Sequence, residues 1–158
     1  CNVLEVDDNF LGPAALAKAQ RFVQDSRDGN TLARVKELSK PGGIWDCTHC
    51  GECVERCPKP AEPFDRIKEI MTVALEQGVT NNNGARHALS FTKSVKSSGS
   101  LNENIIPVES VGFFNAKGLF DLLPVGLRML FKGKNPPILH KSIDDVDDVK
   151  RIYRELNE

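Results

Sequence analysis

The sequence lacks any long block of like charge: 21 basic residues stand against 22 acidic ones for a net charge of −1. No phosphate-tracking surface is expected from that balance, and nucleic acid is not an expected partner. No stretch approaches the ~20 apolar residues that a membrane-crossing helix needs, and no charged-then-apolar leader is visible. An initial methionine is also missing; the chain opens at Cys1, so the native start is expected further upstream. No Ser–His–Asp set, phosphate-cradling glycine loop or carboxylate pair placed for acid–base work is found, so no catalytic residue is expected here. The alternation of a half-buried strand is absent too, as are internal repeats, and the expected fold class is all-α.

What is present is helical periodicity. Gly12-Pro13 opens a helix with Leu16, Ala19, Phe22 and Val23 on one face, stopped by Asp25-Ser-Arg-Asp-Gly29-Asn30. Thr31 is expected to cap a second helix with Leu32, Val35 and Leu38 as its stripe, broken by Lys40-Pro41-Gly42-Gly43. From about Pro63 the spacing predicts a strong helix with Phe64, Ile67, Ile70, Met71, Ala74 and Leu75 on one side and Gly78 as its stop. A weaker helix is expected over Ala85–Lys96, fading into a linker at Ser97-Ser-Gly-Ser100. Ser142-Ile-Asp-Asp145 resembles a capping box for a last helix that would bury Val146, Val149, Ile152, Tyr153 and Leu156.

Cysteine use is the chemical signal. Of five cysteines, four fall between Cys47 and Cys57, where geometry favours metal ligation over a disulfide framework. The run Cys47-Thr-His-Cys50-Gly-Glu-Cys53-Val-Glu-Arg-Cys57-Pro58 has the spacing with which three thiolates reach one cubane while the fourth turns to a second cluster. The first cluster then needs a fourth sulfur, and Cys1 is the remaining cysteine. Cys1, Cys47, Cys50 and Cys53 are therefore assigned to one [4Fe–4S] cluster, and Cys57 to another whose remaining ligands lie upstream. Pro58 ends the ligand loop and orients Cys57. Thiolates also suit zinc, which makes a zinc-stabilised helical interaction module the alternative of another class. For Cys1 a lipid-bearing first residue is a rival reading, but an apolar stretch follows where a polar tether would be needed.

His49 lies inside the ligand loop, either donating toward a cluster sulfur or standing as an exposed loop imidazole. His87 and His140 are read as structural, and Trp45 as a packing aromatic rather than a cluster cover. The apolar segment Leu119–Phe131, followed by Lys132-Gly-Lys134, is either a docking surface or a core helix covering the last one. The second reading is the expected one.

Gly12-Pro13-Ala-Ala-Leu16, Arg21, Asp25-Ser-Arg-Asp28 and Cys53-Val-Glu-Arg-Cys57-Pro58-Lys59 resemble the C-terminal domain of the iron–sulfur subunit of succinate dehydrogenases and fumarate reductases over about residues 1–77. The resemblance implies that Cys1, Cys47 and Cys53 ligate the cluster nearest the quinone and Cys57 the middle one. Most of that family carry an apolar residue where Cys50 stands and hold a three-iron cluster; a cysteine there implies a fourth iron. Residues 112–134 resemble the end of the C-type polypeptide of heterodisulfide reductases, a tail found in unconventional, methylmenaquinol-linked reductases. The aromatic residues that family members carry after the first ligand are replaced by Asn2-Val3-Leu4, and Thr48 follows Cys47, so the resemblance does not extend to a quinone site.

Taken as a member of that family, the chain is expected to have an α-helical ferredoxin-type iron–sulfur domain at 1–80, a helical extension at 81–158, and a [2Fe–2S] domain upstream. The implied function is electron relay between a fumarate or succinate flavoprotein and a membrane-linked, quinone-reactive subunit. A heterodisulfide reductase-like complex, with the B-type polypeptide of those reductases as partner, is the alternative. Membrane association would be peripheral, through partner subunits, on the cytoplasmic rather than the periplasmic side.

Overall fold

The computed structural model describes residues 1–134, 136–137 and 141–156. Among these it holds helices α1 (Gly12–Val23), α2 (Thr31–Leu38), α3 (Glu52–Glu55), α4 (Pro63–Glu76), α5 (Asn83–Ser98), α6 (Ile105–Val111), α7 (Ala116–Phe131) and α8 (Val146–Glu155), a 3-10 turn at Ile44–Asp46, and no strand. The fold is all-α, as the periodicity predicts. Two compact units divide the chain, Cys1–Ala85 and Arg86–Glu158. His140 lies outside the described residues.

The first unit is built on α1 and α4. Leu16 and Val23 of α1 meet Ile67, Ile70, Met71 and Ala74 of α4, and Val35, Ile44, Val3 and Phe10 complete the cluster. Leu16, Val35, Ile44, Ile67 and Ile70 are fully buried; each contributes roughly 1.5–3 kcal/mol over an exposed position. α4 ends as its sequence indicates: Gly78 takes φ +71, with Val79 N–H donating to Ala74 C=O at 2.8 Å and Gly78 N–H to Leu75 C=O at 3.0 Å. This pair of bonds satisfies carbonyls that the last turn would leave orphaned.

Several expectations are corrected in this unit. Phe22 is exposed and lies under the Arg34 guanidinium, 5.5 Å from the ring centre, while Gln20 is buried instead, donating to Glu69 of α4 and to Gln24. Polar side chains with partners on the facing helix can replace an apolar residue at such a position. Leu32 of α2's stripe is likewise exposed. Thr31 is the first residue of α2 rather than its cap, and its hydroxyl donates back to Val23 C=O at 3.4 Å.

In the second unit, α5 and α6 are joined by polar contacts. Ser90 and Lys93 both donate to Glu109, at 2.5 and 2.6 Å; His87 Nδ1 lies 3.0 Å from Ser110 Oγ, and Arg86 donates to Ser110 C=O at 3.0 Å. α6 is too short, with Pro107 near its start, to show a periodic pattern. The expected linker is no flexible tether: α5 continues through Ser98, Ser94 Oγ donates to Ser100 C=O at 3.0 Å, and Asn102 N–H donates to Ser94 Oγ at 2.8 Å. The capping box at Ser142 does not form, since α8 begins at Val146 without a side-chain cap. α8's apolar face is only partly covered: Val146, Val149 and Tyr153 are half-buried, while Ile152 is 53% and the following Leu156 77% exposed. The core-helix reading of α7 also fails: none of its residues is buried. Periodicity marks which face wants cover; it does not supply the cover.

Candidate metal centre

Two separate pieces of chain bring the cysteines together. Residues 1–11 run as successive turns, with Val6 and Asp7 N–H both donating to Val3 C=O, and are pinned by the burial of Val3 and Phe10. Leu11 N–H then donates to Gly42 C=O at 2.8 Å. This contact lays the segment bearing Cys1 beside the loop that leads to Cys47. Gly42 has φ +85, and a side chain there would run into the Asn9 backbone carbonyl, so the approach depends on glycine at that position. Asp46 accepts from Gly42 N–H at 2.5 Å and closes the 3-10 turn, with Ile44 fully buried as its anchor.

Cys47 leaves that turn in extended conformation, His49 takes φ +58 and Gly51 φ +77, and α3 then carries Cys53. The reversal at Gly51 lets Cys50 and Cys53 flank one space. Cys1, Cys47, Cys50 and Cys53 line a single narrow cavity, walled by Val3, Phe10, Pro13, Phe64 and Ile67. Cys57 does not line it. It lines a more open cavity of about 540 Å³ with Glu5 and Arg56, and Cys1, Pro13, Glu52 and Cys53 line both cavities. All five thiols are free.

Burial pushes the Cys47 thiol above the ordinary range; the His49 backbone N–H opposes this, and the nearby Cys53 and Cys50 sulfurs add to it. Cys47, Cys53 and Cys50 lie near enough for their charges as thiolates to oppose one another, and cationic charge among them, which iron would supply, would relieve that. The donor set thus fits a thiolate-bound cluster. Among the described residues no group of three or more His, Cys, Asp or Glu side chains is gathered around one point.

The His49 ring packs on Phe64 with centroids 5.4 Å apart, and Lys68 lies over the same ring at 4.8 Å. Partial desolvation of its ring, then the Lys68 charge, lowers the His49 pKa and so favours the neutral imidazole. Trp45 packs against the core, and a side chain at Gly84 would strike it; it is a packing aromatic. Gly42, Gly51 and Phe64 were not singled out from sequence as parts of the site. Pro41-Gly42-Gly43 is the signal that could have marked the first.

A family model described as the 4Fe-4S dicluster domain matches residues 1–61. The chain is similar to the 8-methylmenaquinol:fumarate reductase iron-sulfur subunit of Wolinella succinogenes, at 34% identity over 105 residues covering 65% of this chain and 33% of that protein. It is similar to the fumarate reductase iron-sulfur subunit of Mycobacterium tuberculosis at 42% identity, covering 47% of this chain and 30% of that protein. With the succinate dehydrogenase iron-sulfur subunit of Coxiella burnetii the identity is 34%, covering 44% and 30%. The chain spans about a third of the length of these curated relatives. No solved structure matches it.

Proposed function

Because the chain belongs to the family of fumarate reductase and succinate dehydrogenase iron–sulfur subunits, we propose that it is the C-terminal part of such a subunit and carries one complete [4Fe–4S] site and one ligand of another. The observation that carries this reading is the cavity lined by Cys1, Cys47, Cys50 and Cys53, which Cys57 does not line. When bound, such clusters pass single electrons at potentials set by burial and hydrogen bonding. The chain's own contribution is placement: Val3 and Phe10 hold Cys1, Ile44 holds Cys47, and α3 holds Cys53 with Cys57 one turn beyond.

On this reading electrons move between a flavoprotein that interconverts fumarate and succinate and a membrane-linked, quinone-reactive subunit, with a [2Fe–2S] domain and the other ligands of the Cys57 cluster upstream. Membrane association through those partners would be peripheral; among the described residues no helix is long and apolar enough to cross a membrane. The relatives named above are fumarate and succinate enzymes, which gives the heterodisulfide reductase-like alternative no support.

The test is iron, labile sulfide and zinc content, with electron paramagnetic resonance, on full-length protein prepared without oxygen. About four irons at the Cys1–Cys53 site, with a signal in the reduced state, is the expected result. Stoichiometric zinc without labile sulfide would overturn the reading.

A further inference from the structure

α7 is strongly apolar, and almost none of it is covered. Phe120 is 73% exposed and Phe131 85%, and Phe113 and Phe114 stand exposed just before the helix. Its neighbour is α6, with Val111 against Gly118. At the ~100° per residue of an α-helix, Lys117, Asp121, Arg128 and Lys132 fall within an arc of about 60°, and the rest of the circumference is apolar or glycine. This polar stripe carries three positive charges and one negative, and Lys134 follows it.

Sixteen residues make a helix of ~24 Å, short of the ~30 Å hydrocarbon thickness, so the apolar surface cannot be satisfied by crossing a bilayer. A groove on a protein partner takes one stripe of a helix. Here the apolar arc is far wider than a stripe, is rich in leucine with Phe120 and Phe131, and is bordered by a narrow basic edge. An apolar sector of that width can lie among acyl chains at a membrane surface, and the basic edge is complementary to anionic headgroups. We propose that α7, with Phe113 and Phe114, is an in-plane anchor for an anionic bilayer surface. The chain would then touch the membrane directly as well as through partner subunits.

The experiment is flotation of the full-length protein with vesicles of phosphatidylcholine containing about one-third phosphatidylglycerol, beside vesicles of phosphatidylcholine alone. The protein should float with the anionic vesicles, and high salt should weaken the association. Each basic side chain near such a surface is worth about fivefold in binding, so Lys132→Gln with Lys134→Gln should reduce it roughly 25-fold. Leu123→Glu with Leu127→Glu should abolish it; both positions are exposed, and unchanged far-ultraviolet circular dichroism checks that the fold survives. Binding that is absent from both vesicle types, or indifferent to both pairs of substitutions, overturns the proposal. So does a stable dimer that forms through α7 and is lost with Leu123→Glu while lipid is ignored. Iron content should be the same in every variant, which keeps this test separate from that of the cluster site.

Discussion

On the proposed reading, Cys50 separates a four-iron site from a three-iron one. It lines the same cavity as Cys1, Cys47 and Cys53, so Cys50→Ser should remove one iron and give the oxidised-state signal of a three-iron cluster; unchanged iron content and spectra would refute its role as a ligand. Gly42 tests the placement of Cys1. Gly42→Ala meets both a left-handed φ of +85 and the Asn9 carbonyl, whereas Gly78→Ala meets a φ of +71 with open space around it. Backbone strain alone costs about 1–3 kcal/mol at either position. Gly42→Ala should therefore destabilise the protein more than Gly78→Ala and lower its iron stoichiometry, because the Cys1 segment loses its seat. Equal stability losses with full iron in both variants would mean that the Leu11–Gly42 contact does not hold the ligand.

Glu109 joins α5 to α6, and its carboxyl is held below the usual carboxylate range by Lys93 first and Ser90 second. A carboxylate whose folded pKa is depressed stabilises fully above its unfolded pKa, about 4.3, and that stability is lost as pH falls through the folded value. Denaturation of the second unit, followed by Tyr153 emission, should therefore become easier as pH drops below about 4.3, and Glu109→Gln should flatten this dependence. A variant with the same acid profile as the parent would show the clamp to be without weight. None of these α5–α6 contacts was legible in the sequence, because Ser90, Lys93 and Glu109 show no periodicity that pairs them. α4 was legible to its final Gly78, since burial and capping both act within fourteen residues of chain. The cysteine spacing was legible for the same local reason. The seat of Cys1 was not, because it depends on one backbone hydrogen bond between residues far apart in sequence, and α7 was legible as apolar but not as bare.

The two units differ in how they are held. The whole hydrophobic cluster, from Val3 to Ala74, belongs to the first, while the buried residues named in the second are Ser90 and Ile106. Little apolar burial means a low opening free energy, whatever the number of surface hydrogen bonds. A bound cluster adds a further asymmetry, since a group held only by the native state stabilises the unit that holds it. The chain carries one Trp and one Tyr; Trp45 packs in the first unit and Tyr153 lies on α8 of the second. Each unit thus has its own intrinsic reporter. On heating, Tyr153 emission should change first and gradually, and Trp45 emission later and cooperatively. Removing iron with a chelator should lower the Trp45 midpoint and leave the Tyr153 change where it was. A single shared transition that shifts as one on iron removal would mean that the second unit draws its stability from the cluster domain, and the separation argued from burial would be wrong.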